Sequence, residues 1–227
     1  MKLAQVIRLI VFDMGGTTVH DTADVATCFC AALEHHGLAV TADELATWRG
    51  AAKREVIDNA IRGCGRSDLD PAEVYRTFRT MLLNAFKQAG VRPVCGAAAA
   101  FRRLRESGIG VVLTTGFDAQ VAAWLMNRLQ WGSAVDGLVT ADDVRTGRPA
   151  PDMIYRAMEQ FEVEDVRHVV VVGDTTNDVE AGHRAGVRAS IGVVTGAHDR
   201  KRLEGAAPTV VLESAAEVPA WLAGTVA

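Results

Sequence analysis

Two short runs of this chain are apolar at nearly every position, and each leads into an aspartate: Val6–Phe12 into Asp13, and Val169–Val172 into Gly173 and Asp174. A strand with no alternating polar position has no face for water. Such runs read as parallel strands covered by helices on both sides. Ile109–Leu113 and Thr209–Leu212 read as further strands, with weaker signals at Gly137–Thr140 and Arg188–Val193. Helical stretches lie between them, at Ala97–Glu106, Ala119–Leu129, Met153–Gln160 and Asp178–Ala185. The alternation predicts an α/β fold, a Rossmann-like doubly wound parallel sheet.

One region breaks the alternation. From residue 20 to residue 91 there are helix signals and no convincing strand. Thr41-Ala-Asp-Glu44 has the spacing of a capping box. Asp70-Pro71 opens a long helix that ends near Gly90, and Gly37 and Gly63 punctuate the helices before it. The expected organisation is therefore a catalytic core of residues 1–19 and 92–227, with an α-helical cap domain of residues 20–91 inserted after the first strand. Hinges are expected at Thr18–Asp21 and Gly90–Gly96.

Composition excludes several classes. The 227 residues are 49% apolar and 23% charged, which is globular composition with enough apolar mass for a core without staples. With 24 basic against 28 acidic residues the formal charge is −4, so no positive excess drives nucleic-acid binding. No apolar run is long enough to span a bilayer, and Val6–Phe12 is too short for a signal peptide. Cys28, Cys30, Cys64 and Cys95 form no CxxC pair and are expected to be buried reduced thiols in a cytoplasmic protein.

Four segments hold groups able to do chemistry. Asp13-Met-Gly-Gly-Thr-Thr18 ends the first strand, where such sheets bind ligands, and Gly15 and Gly16 let backbone N–H groups turn toward an anion while Thr17 and Thr18 add hydroxyls. Thr114, Thr115 and Gly116 end the second strand, with Asp118 able to cap the next helix. Arg148 stands on a loop stiffened by Pro149 and Pro151 and has the geometry to hold a phosphoryl group. Asp174 and Asp178 are four residues apart and share a helix face; with Asp13 they make an oxygen-rich site suited to Mg²⁺. Each segment alone has an ordinary structural explanation: a turn, a strand end, a surface arginine, a helix cap. Together they supply a carboxylate nucleophile, hydroxyl donors, a cation and a metal site, the parts that phosphoryl transfer requires.

The four segments, in this order and with a helical insert after the first, resemble the haloacid dehalogenase superfamily over essentially the whole chain. The resemblance implies that Asp13 is a nucleophile forming an aspartyl-phosphate. It implies that the Asp13 carboxylate, the Gly15 carbonyl and Asp174 hold Mg²⁺ with Asp178 in support, and that Thr114 and Arg148 take the phosphoryl oxygens. Phosphatases of the superfamily usually carry a second Asp two residues after the nucleophile, as the acid for the leaving group. Here that residue is Gly15, which cannot transfer a proton, and general acid help is typically worth about 10²–10⁴ in rate.

Gly15-Gly-Thr-Thr18, Thr114-Thr-Gly-Phe117 and Gly147-Arg-Pro149 are similar to the phosphonoacetaldehyde hydrolases, or phosphonatases, which also lack that acid. In those enzymes a cap lysine condenses with the substrate aldehyde and the imine acts as electron sink. The matching residue is Lys53, within Arg49-Gly-Ala-Ala-Lys-Arg-Glu55, where Arg49 and Arg54 are expected to favour the free amine. Val56 stands where the family has a histidine. The expected activity is Mg²⁺-dependent cleavage of phosphonoacetaldehyde or a related oxo-phosphonate. The alternatives are a phosphatase acting on a small phosphate ester, and a non-catalytic module that binds phosphorylated ligands. The resemblance also implies a homodimer through the cap, while the charge balance and the short apolar runs predict no nucleic-acid or membrane partner.

Overall fold

The computed structural model describes residues 7–20, 25–41 and 53–224. Six strands form one parallel sheet: β1 (Leu9–Asp13), β2 (Gly110–Thr114), β3 (Gly137–Val139), β4 (Val169–Gly173), β5 (Ala189–Val193) and β6 (Val210–Leu212). Their spatial order is β3-β2-β1-β4-β5-β6. The direction of winding reverses between β1 and β4, so the connections leaving their carboxyl ends diverge and a crevice opens there. This is the α/β, Rossmann-type architecture expected from the alternation of runs.

Both central strands are buried at every position. Ile10 and Phe12 join one core with Val170 and Val172, while Leu9 and Val11 join the other with Val169 and Val171. Successive side chains enter opposite cores, which is why neither run has a polar alternate position. The first strand starts at Leu9, later than the apolar run, because Arg8 is exposed at its outer end.

Between β1 and β2 stand α1 (Val25–His35), α2 (Lys53–Gly63), α3 (Pro71–Ala89) and α4 (Ala97–Glu106). The later connections contain α5 (Ala119–Leu129), α6 (Asp152–Gln160), α7 (Thr176–Ala185), α8 (Arg200–Gly205) and the final α9 (Val218–Gly224). The Asp70 carboxylate accepts a hydrogen bond from the Ala72 N–H at 2.9 Å, and Pro71 occupies a first-turn position that needs no donor. Val74, Phe78 and Leu82 of α3 are fully buried, and Phe29 of α1 meets the Phe78 ring edge-on at 5.2 Å. Burying one such side chain is worth about 1.5–3 kcal/mol. These residues and Phe12 of β1 belong to one continuous core, so the insert packs onto the sheet.

Three local expectations change. The left-handed turn after α2 falls on Gly65, two residues beyond Gly63, with φ 64°, which lets the Arg66 N–H return to the Ile61 carbonyl. Helix α7 begins at Thr176, earlier than Asp178, because Asp178 closes the helix entry by accepting from Thr175. Cys28 and Cys30 are half-buried and Cys64 and Cys95 are exposed; all four are free thiols, but the expected burial fails. The Thr41-Ala-Asp-Glu44 cap lies largely outside the described residues, as do Asp21, Trp48, Arg49 and Gly50. No helix among the described residues is long and apolar enough to cross a membrane.

Candidate active site

Strand β1 delivers Asp13 to the crevice, in register with Thr114 at the end of β2. The chain then turns sharply. The Val19 N–H returns to the Met14 carbonyl at 2.8 Å, and the Gly16 N–H donates to the Val19 carbonyl at 2.7 Å. Gly16 adopts φ 80°, and a Cβ there would collide with the Asp174 carboxylate, so only glycine fits. Gly15 differs: it is exposed, and a Cβ there would meet nothing within 4 Å.

Asp13, Asp174 and Asp178 are buried and offer carboxylate oxygens that all lie within 4.8 Å of one another. Arg148 Nη1 sits 2.6 Å from Asp13 Oδ1 and also pairs with Asp178 Oδ1. The other Asp178 oxygen accepts from the Thr175 N–H at 3.0 Å and the Thr175 hydroxyl at 2.5 Å. Asp174 accepts from the Thr17 hydroxyl at 3.1 Å and the Ala197 N–H at 2.7 Å. Three buried carboxylates therefore face one buried guanidinium.

The titration of the cluster follows from that imbalance. Burial pushes Asp13 well above the ordinary carboxylate range, Arg148 pulls it back, and Asp178 and Asp174 raise it again. Asp174 is pushed up to about 7, first by burial and then by Asp178, against the hydrogen bonds from Ala197 and Thr17. Burial alone would lower Arg148, but Asp13 and Asp178 hold it above its usual value. A divalent cation would remove the excess negative charge. The donors are all hard oxygens, which fits Mg²⁺. The Arg148 Nε is buried without a hydrogen-bond partner, leaving the guanidinium a donor for an anionic group placed beside Asp13.

Other expected residues are placed as follows. The Thr18 hydroxyl donates to the Asp13 carbonyl at 3.0 Å and so braces the turn. The Thr114 hydroxyl donates to the Phe12 carbonyl at 3.3 Å, and the Thr115 oxygen accepts from the Phe117 N–H at 3.2 Å. Gly116 is half-buried in the same turn. Lys53 comes from the insert: it is the first described residue of α2, with its Nζ 5.7 Å from the centre of the Phe29 ring. The Arg54 guanidinium is directed to Asp142 at 3.0 Å and over the Tyr75 ring at 4.8 Å, so its charge is engaged there and not only beside Lys53.

Sequence reasoning missed the loop after β5. Thr195 donates to the Gly16 carbonyl at 2.6 Å, and the Ala197 N–H holds Asp174. The signal was available, since Val194-Thr-Gly-Ala197 ends a strand with a hydroxyl and a glycine, as Thr114-Thr-Gly116 does.

Comparison with known proteins gives consistent findings. The family model of haloacid dehalogenase-like hydrolases matches residues 7–186. A phosphonoacetaldehyde hydrolase of Parabacteroides distasonis is 33% identical over 185 residues, covering 71% of this chain and 69% of that protein. The structure of a phosphonoacetaldehyde hydrolase-like protein from Oleispira antarctica superposes with a TM-score of 0.80 at 23% identity, covering 99% of this chain and 94% of that one. A putative beta-phosphoglucomutase from Bacteroides vulgatus superposes with a TM-score of 0.79 at 18% identity, covering 97% and 90%. The two structural likenesses speak for the fold alone.

Proposed function

The chain belongs to the haloacid dehalogenase-like hydrolases, and from that premise we propose that it cleaves the carbon–phosphorus bond of phosphonoacetaldehyde or a close oxo-phosphonate. The observation that carries this reading is Gly15. No acid stands two residues beyond Asp13, and the space beside Gly15 is open. A reaction whose leaving group is stabilised through an imine needs no acid there.

Asp13, Asp174 and the Gly15 carbonyl would hold Mg²⁺, with Asp178 in support; when bound, the ion supplies positive charge to the phosphonate oxygens. Lys53 Nζ condenses with the aldehyde carbonyl and releases water. An Asp13 oxygen then bonds to phosphorus as the C–P bond breaks, and the electron pair passes into the imine to give an enamine. The enamine takes a proton on carbon and is hydrolysed to acetaldehyde, which frees Lys53. Water hydrolyses the aspartyl-phosphate and restores Asp13. Arg148 is bonded to Asp13 and has a donor in reserve, so it holds the transferring group in line. Thr114, Thr115 and Gly116, at the adjacent strand end, take phosphoryl oxygens in this reading.

Residues 20–91 act here as the cap, which must close so that Lys53 meets a substrate held at Asp13 and bulk water is excluded. A homodimer through the cap, no nucleic-acid or membrane partner and a cytoplasmic site of action complete the proposal. One observation favours a phosphatase of small esters instead: Val56, buried in α2, stands where phosphonatases carry a histidine. The deciding experiment is acetaldehyde release from phosphonoacetaldehyde with Mg²⁺, read through an alcohol dehydrogenase, beside a panel of phosphate esters. Release is the expected result. No release from an enzyme that hydrolyses the esters would establish the phosphatase reading. Phosphate-analogue binding without turnover of any substrate would revive the non-catalytic module.

A further inference from the structure

The helix that begins at Lys53 is tied to the core by the next two residues, and the ties reach two different loops. Arg54 Nη2 lies 3.0 Å from Asp142 Oδ1, and the second Asp142 oxygen accepts from the Ala119 N–H at 2.9 Å. Ala119 opens α5, three residues after Gly116. Glu55 Oε1 accepts from the Gly147 N–H at 3.1 Å, and Gly147 directly precedes Arg148. The two ties are unequal. The Arg54 and Asp142 side chains are 53% and 37% exposed, and an ion pair so placed contributes little. The Glu55 bond is partly buried and joins a carboxylate to a fixed backbone donor, which makes it the stronger and more directional of the two.

We propose that Glu55 is a positioning residue: through the Gly147 amide it fixes the start of α2, and with it Lys53, in register with Arg148 and Asp13. This inference rests on the reading given above. The chain of contacts is short. Lys53 is two residues from Glu55, Glu55 is bonded to Gly147, Arg148 is the next residue, and Arg148 Nη1 is 2.6 Å from Asp13. The stronger tie between cap and core thus links the segment that bears Lys53 to the segment that bears Arg148. A misplacement of about 1 Å can cost about 10²-fold in rate, so such a bond has leverage out of proportion to its strength. It is not needed to form the helix, because Val56, Ile57, Ala60 and Ile61 bury the other face of α2.

The test compares Glu55→Ala with Glu55→Gln, which keeps a side-chain oxygen for the Gly147 N–H. For Glu55→Ala the kcat on phosphonoacetaldehyde should fall by at least about tenfold with little change in KM. Hydrogen exchange at the Gly147 amide should quicken by a similar factor, about tenfold. Glu55→Gln should recover most of both. Wild-type kcat in Glu55→Ala, unchanged Gly147 exchange, or failure of the Gln variant to rescue would overturn the proposal. If the wild-type protein releases no acetaldehyde, the reading of the activity fails first. Gly147 exchange and ester kcat then decide separately: quickened exchange with slowed ester hydrolysis keeps Glu55 as the positioner of Arg148, and no change in either refutes it.

Discussion

The carboxylate cluster at the end of the sheet and the lysine-bearing start of α2 are built by opposite means. Asp13, Asp174 and Asp178 are buried, the first two at or just beyond strand ends and the third in the first turn of α7, and backbone or hydroxyl donors fix two of them. Lys53 is half-buried on an inserted helix, and the ties beside it are one exposed ion pair and one backbone hydrogen bond. The insert is firmly seated elsewhere. Tyr75 accepts from the Asp118 N–H at 3.1 Å, Arg79 pairs with the buried Asp118 carboxylate at 3.0 Å, and Phe86 stacks on Trp124 at 6.0 Å. The helical insert is thus held strongly at α3 and lightly at the start of α2, and lightly held segments are the first to open locally.

The largest effect should come from the core and should not depend on the substrate. Asp13→Asn keeps the shape and removes the carboxylate proposed as the nucleophile, so turnover of phosphonates and esters alike should fall by at least about 10³-fold in steady-state assays. Survival of either activity would mean that the two reactions do not share a nucleophile. Lys53→Arg should separate the halves. Arginine keeps the charge but does not condense with an aldehyde, so acetaldehyde release should fall by about 10²-fold or more. Ester hydrolysis should fall far less. Equal losses on both substrates would make Lys53 a general anchor and sink the imine.

Much of the core was legible because its chemistry is tied to strand ends, and buried strands announce themselves. Val169–Val172 has no polar residue, so the carboxylate that follows it had to lie at a strand terminus. The turn at Gly16 was legible as a glycine pair, though the reason for it was not: its missing Cβ makes room for Asp174, a residue 158 positions away. The loop after β5 has a local signal, a hydroxyl and a glycine at a strand end, but the partners of Thr195 and Ala197, the Gly16 carbonyl and Asp174, follow from sheet order and not from that pattern. Glu55 and Asp142 escaped for the same reason. Glu55 reads locally as a partner for Lys53, and its contact with Gly147 emerges only when the helices are laid on the sheet.

A gain of function tests the comparison from the other side. The open space at Gly15 admits a Cβ with no neighbour within 4 Å. Gly15→Asp should install an acid beside Asp13 and raise phosphate-ester hydrolysis by about tenfold, below the full range for a well-placed acid. C–P cleavage should not gain, because its leaving group needs no proton at that step. A parallel rise in both activities would show that the missing acid had limited both reactions.

The smallest effect is on stability, and its sign follows from burial. Asp174 titrates at about 7 in the folded protein against an ordinary value of 3.8. Below about pH 4 both folded and unfolded states are protonated and the site costs nothing. As pH rises toward 7 the unfolded chain releases this proton while the folded protein keeps it, so stability falls; above 7 the loss is complete. Asp174→Asn has no proton to lose. In a chelator its melting temperature should match wild type near pH 4 and exceed it by about 10 °C at pH 8, since a rise from 3.8 to about 7 is worth about 4 kcal/mol and each kcal/mol about 2–4 °C in a chain of this size. Saturating Mg²⁺ should reverse the order, because it stabilises the wild-type site by mass action and has lost a ligand in the variant. Arg54→Gln, at the exposed tie, should alter neither curve by more than about a degree or two. If Asp174→Asn is no more stable than wild type in chelator at pH 8, the three carboxylates are not mutually strained, and the core site is as forgiving as the edge of the cap.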